Sequence, residues 1–291
     1  DMTATRDIDT LRGLEPERLR YLGRLSYPMM RCAGDPGFSR VSWDDAINIV
    51  TQAIRSTPSH RLGFFATSRG LTNEVYYVFQ KLARVLGTNN VDLCSRLCHA
   101  ASVSGLKATL GIGAPTCSLS DFIGTQLLVV FGADLANNHP LTTKYMHYAK
   151  KQGTRIVVVN PMREYGLERY WVPSVASSAL FGTKLMDDFF QVRVGGDIAF
   201  INGVIKTLIA LNRIDQEFIA KRTTGYEELK AALGAQSWEM LEERSGLSRQ
   251  EMERFALLYG HARSAVFVYS TGLTQHEFGV DNVKAIVNLA L

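Results

Sequence analysis

Two adjacent residues, Cys98 and His99, concentrate the chemistry this sequence offers. A thiolate can hold a soft metal, and an imidazole beside it can take up or release a proton near neutral pH. The pair closes the segment Cys94-Ser-Arg-Leu-Cys-His99, which admits four readings. Buried structural thiols are the commonest fate of cytoplasmic cysteines. A zinc site needs further ligands at short spacing, and Cys-x-x-x-Cys supplies one pair. A c-type haem needs Cys-x-x-Cys-His, one residue shorter, together with export. The fourth reading is a single thiolate ligand to a heavy metal, with His99 as proton carrier. The segment alone leaves all four open.

A second set of candidates follows apolar runs that read as buried strands: Gln126–Gly132, Arg155–Asn160 and Ala265–Tyr269. In parallel α/β sheets a ligand lies beyond the carboxyl ends of the strands, which singles out the polar loops after Gly132, Asn160 and Tyr269. Asn137, Asn138 and His139 precede Pro140, which suits the first turn of a helix whose exposed N–H groups make an anion site. Asn160 stands where a Rossmann domain places the side chain that reads a ribose hydroxyl. The paired glycines of Arg193-Val-Gly-Gly-Asp197 let a ligand approach the backbone. Ordinary caps and turns are the competing reading of each loop, with Asp197 as a cap. No Gly-x-Gly-x-x-Gly is present, which disfavours a standard NAD site.

The elements that would carry these residues form an α/β pattern. The run 126–132, a helix over 141–151 and the run 155–160 make one βαβ unit, and continuous apolar strands belong to sheets covered on both faces. Helices are expected over 197–211, 215–221, 226–233, 238–244 and 248–261, before the strand 265–269. Upstream, Ser42 caps a helix, 62–66 reads as a strand, and Thr72–Leu86 has helical spacing that Gly87 stops. The expected architecture is a doubly wound, mostly parallel, Rossmann-like sheet over 98–291. An extended lead over 1–40 and part of a neighbouring α/β domain over 41–97 come before it.

Composition narrows the classes further. The 291 residues are ample for a core, and 32 Lys plus Arg against 28 Asp plus Glu give a net charge of +4 without a basic run, which argues against nucleic acid. Four cysteines fall short of a disulfide framework and no leader pattern opens the sequence, so a cytoplasmic location is the default. No apolar run approaches the roughly 18–20 residues of a membrane span. The start at Asp1 without Met, and the stop inside the apolar run 285–291, lead to the expectation of a fragment whose partner is the rest of its own polypeptide.

Gly87-Thr-Asn-Asn-Val-Asp92, Cys94-Ser-Arg-Leu-Cys-His99, Phe131-Gly132 with His139-Pro140, and Arg193-Val-Gly-Gly-Asp197 occur in that order. In this combination the chain resembles the molybdopterin oxidoreductases, and within them the formate-dehydrogenase-like branch built on bis(molybdopterin guanine dinucleotide). Arg222-Thr-Thr-Gly-Tyr226 and Gly272-Leu-Thr-Gln275 fit the same branch, and the resemblance runs from about Tyr27 to Leu291.

The resemblance implies that Cys98 ligates molybdenum or tungsten, that His99 is the neighbouring active-site histidine, and that Cys94 is no ligand. It places the guanine dinucleotide of one pterin against Gly132, Asp134, Asn137, Asn138, Asn160, Gly195 and Asp197, loops already selected on physical grounds. It brings Arg69, Gly272 and Gln275 toward the pterin or the metal. It aligns Lys284 with an arginine of true formate dehydrogenases. A lysine offers a point charge in place of a bidentate fork, so formate does not follow as the substrate. The implied reaction is a two-electron conversion of a small molecule with an unknown redox partner. An iron–sulfur cluster would have a place only in an N-terminal region ahead of this sequence. The competing classes are a non-catalytic subunit that keeps the fold as scaffold, and a plain nucleotide-binding dehydrogenase domain.

Overall fold

The computed structural model describes residues 7–67, 70–173 and 175–291. The chain forms two compact units, Asp1–Cys94 and Ser95–Leu291. The boundary falls ahead of Cys98 because Ser95 opens the helix that carries it, and that helix packs inside the second unit.

The first unit contains α1 (Ile8–Arg12), α2 (Pro16–Tyr21), a two-stranded antiparallel ribbon of β1 (Met29–Met30) and β2 (Ser39–Arg40), α3 (Trp43–Ser56), β3 (Phe64–Ala66), α4 (Asn73–Val85) and β4 (Val91–Leu93). The segment expected as an extended lead over 1–40 therefore holds two helices and a ribbon. Local chemistry explains the helices: Asp7 caps α1 by accepting from the amide of Thr10 at 2.6 Å, and Pro16 opens α2. Ser42 caps α3 and Thr72 caps α4, each by accepting an amide of the first turn. After α4 the chain turns at Gly87 with φ +78° and enters β4, which pairs in parallel with β3.

The second unit opens with α5 (Ser95–Leu110), followed by β5 (Leu127–Phe131), the single turn α6 (Leu135–Asn138), α7 (Pro140–Lys151) and β6 (Arg155–Val159). Then come α8 (Tyr165–Glu168), α9 (Ala176–Phe181), β7 (Asp188–Phe190), α10 (Asp197–Ala210), α11 (Gln216–Arg222), α12 (Tyr226–Gly234), α13 (Trp238–Ser245) and α14 (Arg249–Gly260). The unit ends with β8 (Ala265–Tyr269), α15 (Thr271–Thr274) and α16 (Gly279–Ala290).

The four strands of this unit form one parallel sheet in the order β7-β6-β5-β8. Its strands alternate side chains between two cores. Leu127, Val129 and Phe131 of β5 join the core built with α10, α14 and α16, whereas Leu128 and Val130 join the core that holds Met146 and Ala149 of α7. Both faces are covered, as continuous apolar strands require. In the first core Phe255 of α14 meets Phe190 of β7 at 5.2 Å and Phe200 of α10 at 5.1 Å between ring centroids, with Phe131 at 6.3 Å. Such clustered rings gain from edge-to-face packing beyond simple burial. The cluster fixes α10, and with it Asp197 at its first turn, against the sheet.

Successive strands β5, β6 and β7 extend the sheet in one direction, and β8 returns to the opposite side of β5. The order reverses between β5 and β8, so the crevice of a doubly wound sheet lies at their carboxyl ends.

Candidate functional site

At that crevice the loops after β5 and β8 meet through two glycines. The amide of Gly272 donates to the carbonyl of Gly132 at 3.0 Å. Gly132 has φ +53°, and a Cβ there would stand 2.6 Å from Leu273 Cδ1, while a Cβ on Gly272 would stand 2.5 Å from the Gly132 carbonyl oxygen. Absent side chains thus let one backbone rest on the other.

The loop after β8 is tied down at three further points. His276 donates from Nε2 to the carbonyl of Gly272 at 2.5 Å, since a carbonyl only accepts. Asn282 of α16, itself buried, donates to the carbonyl of Leu273 at 2.9 Å. Thr274, also buried, donates from its hydroxyl to the main-chain carbonyl of Cys98 at 2.6 Å.

That last bond reaches α5, which lies against α16 at Gly105, where a Cβ would come within 2.7 Å of Val283 Cγ1. Helix α5 is irregular at His99, whose φ of −133° and ψ of 16° leave the helical region one residue after Cys98. The His99 ring is held by Ser102, with Nδ1 and Oγ 3.0 Å apart. Partial burial lowers the His99 pKa, and the neighbouring His139 at the start of α7 lowers it further, so its imidazole is held neutral near pH 7. His99 and Ser102 line a cavity of about 850 Å³ together with residues, mostly apolar, of α5, the 113–122 segment, β8 and α16.

Two buried polar side chains stand at the same edge of the sheet. Asn160 follows β6 directly and is 5% exposed. Asp197 opens α10 at 4% exposure. Burial pushes its carboxyl up to about 6, opposed by its own amide and by the charge of His276. Beside it, Gly195 has φ +79°, and a Cβ there would meet nothing within 4 Å, so the loop leaves open space at this point.

Other expected residues are engaged in local structure. Asp134 caps α6 by accepting from the amide of Asn137 at 3.2 Å and from its Nδ2 at 2.6 Å. The stretch expected as one loop before Pro140 contains this extra helical turn, with Asn137 and Asn138 exposed. Asp134 also raises the pKa of Glu164, an effect second to that of burial, so two acidic groups share this corner. Gln275 is exposed at the end of α15. Lys284 is half-exposed on α16, with Nζ 3.1 Å from Asp281, and it does not line the cavity that His99 reaches. Arg69 lies outside the described residues. Among the described residues no three His, Cys, Asp or Glu side chains gather as a metal cage.

The structure therefore links Thr274 to Cys98 and Gly272 to Gly132 by hydrogen bonds, with His139 acting on His99 and His276 on Asp197 through their charges. Thr274, Ser102 and His276 were missed in the sequence. Thr274 lies between the selected Gly272 and Gln275, and its position in that run was the available signal.

A family model described as molybdopterin oxidoreductase matches residues 24–291. The chain belongs to the molybdopterin oxidoreductase family. Among its relatives, the F420-dependent formate dehydrogenase 1 subunit alpha of Methanococcus maripaludis is 37% identical over 92% of this chain and 37% of its own length. Formate dehydrogenase H of Escherichia coli is 33% identical over 92% of this chain and 36% of its own. Protein YdeP of Escherichia coli is 33% identical over 94% and 38%. The chain thus spans well under half the length of the curated relatives it matches. The fold also matches that of acetylene hydratase from Pelobacter acetylenicus with a TM-score of 0.67 over 91% of this chain and 35% of that one, at 20% identity. No helix among the described residues is long and apolar enough to cross a membrane.

Proposed function

We propose that this chain carries the metal-anchoring thiol and one dinucleotide-binding edge of a molybdenum or tungsten enzyme. Its cofactor on this reading is bis(molybdopterin guanine dinucleotide), and its reaction is a two-electron conversion of a small molecule. The observation that carries the reading is the pair Asn160 and Asp197: two polar side chains more than nine-tenths buried, which follow β6 and open α10 at the carboxyl edge of the sheet. Polar side chains buried at a sheet's carboxyl edge suit the recognition of a nucleotide's polar groups. A guanine base would offer Asp197 further N–H donors, and a ribose hydroxyl would suit Asn160. The open space at Gly195 admits the approach.

Cys98 would hold the metal as its protein ligand, with the cofactor supplying the rest. When bound, the group supplies the two-electron redox chemistry. His99, held neutral and oriented by Ser102, accepts the proton that leaves the substrate and passes it on. The contact of Gly132 with Gly272 keeps the two loops at a fixed separation. Formate-like substrates enter as a proposal through the relatives' names alone, because Lys284 is engaged with Asp281 outside the cavity beside His99. The test is elemental analysis of the full-length protein: molybdenum or tungsten is expected with it, and Cys98→Ala with unchanged metal content and activity would defeat the assignment.

A further inference from the structure

We propose that Thr274 is a positioning residue for the Cys98–His99 turn: its hydroxyl fixes the Cys98 carbonyl, and so the directions in which the thiol and the imidazole leave the backbone. The inference rests on the reading of Cys98 as the protein ligand of the metal.

Three observations carry it. The bond is short, at 2.6 Å, and Thr274 is buried at 6% exposure, so water does not compete for it. It lands where the backbone of α5 leaves helical geometry, at the peptide that joins Cys98 to His99. Helical hydrogen bonding does not by itself enforce a direction at such a kink, and an outside donor can. Thr274 is also held from behind. A Cβ on Gly279 would stand 2.2 Å from the Thr274 carbonyl oxygen, which makes this a close backbone contact, and Asn282 holds the preceding residue through the Leu273 carbonyl. The donor is rigid before any ligand arrives.

The loop that carries Thr274 also carries Gly272, which bonds Gly132 at the end of β5. One short segment, Gly272–Thr274, therefore links the dinucleotide edge of the sheet to the metal-anchoring turn, with three residues spanning the two.

The test uses the full-length protein loaded with its metal. Thr274→Val keeps the shape and removes the hydroxyl. It is expected to retain wild-type metal content, to shift the electron paramagnetic resonance g-values of the dithionite-reduced metal, and to speed amide exchange over residues 98–102 about ten-fold, as loss of one hydrogen bond allows. Thr274→Ser is expected to restore both signals. Cys98→Ser is the control. If its spectrum matches wild type, the reading of Cys98 as ligand fails. If Cys98→Ser shifts the spectrum and Thr274→Val leaves both signals unchanged, the role of Thr274 is overturned while that of Cys98 stands. Should the valine variant not fold, Thr274→Ala, which adds no atoms, carries the same expectation. Loss of fold in both would also overturn the proposal, by showing that Thr274 serves the fold and not the turn.

Discussion

The amide of Gly272 rests on the carbonyl of Gly132 at 3.0 Å, and neither residue has room for a methyl group. This contact closes the switch point of the sheet. Gly132→Ala adds strain at φ +53° to a collision with Leu273, and is expected to cost about 2–4 kcal/mol of stability. Gly272→Ala meets the Gly132 backbone and should cost a similar amount. Urea unfolding of the two variants checks both, and wild-type midpoints would show that the loops do not meet in this way.

Burial of Asp197 carries a stability cost at neutral pH. Its folded-state pKa stands at about 6, above the ordinary 3.8, because burial opposes ionisation. The stability linked to this group is fully present below pH 3.8 and is lost as pH rises toward about 6. Asp197→Asn should therefore stabilise the cofactor-free protein at pH 7 by on the order of 1–3 kcal/mol. The gain should vanish as pH falls below that window, while cofactor retention drops. Denaturant midpoints across pH, with nucleotide content after purification, measure both arms.

His99 titrates below its ordinary 6.5, because burial and the nearby His139 oppose its charge. A proton acceptor must be neutral, so the acid limb of the pH–rate profile is expected below pH 6.5. His99→Ala should lower kcat about 10²-fold and remove that limb while metal content holds. A retained limb would assign the proton to another group.

Lys284 makes an exposed i, i+3 pair with Asp281. Such pairs contribute little, so Lys284→Ala is expected to change stability by less than about 0.5 kcal/mol. Turnover should stay within about two-fold of wild type. A large loss in kcat/KM with formate would return Lys284 to the substrate site.

The strands β5, β6 and β8 were legible because each is an unbroken apolar run, and the helices from α10 to α14 because caps and spacing mark them. The short strand β7 was not, since three residues beginning with Asp188 carry no periodicity, and Asp188 is spent on Arg155 and Arg254. Helix α5 was hidden by its small residues and by the break at His99. They matter to packing, as Gly105 on Val283 shows, but they blur the apolar stripe by which a helix is recognised. Asp134 entered only through the family resemblance, and its bonds to Asn137 show a cap formed, as the competing reading of that loop as ordinary caps and turns allowed. The Thr274 bond to Cys98 joins residues 176 apart, a separation at which spacing carries no signal.

The most direct test of the central claim is the molybdenum and tungsten content of the full-length protein, compared with that of Cys98→Ala and read together with activity. One of the two metals in roughly stoichiometric amount, with occupancy or activity lost in the variant, is the predicted result. Neither metal in the wild type, or equal metal and equal activity in the variant, would contradict it.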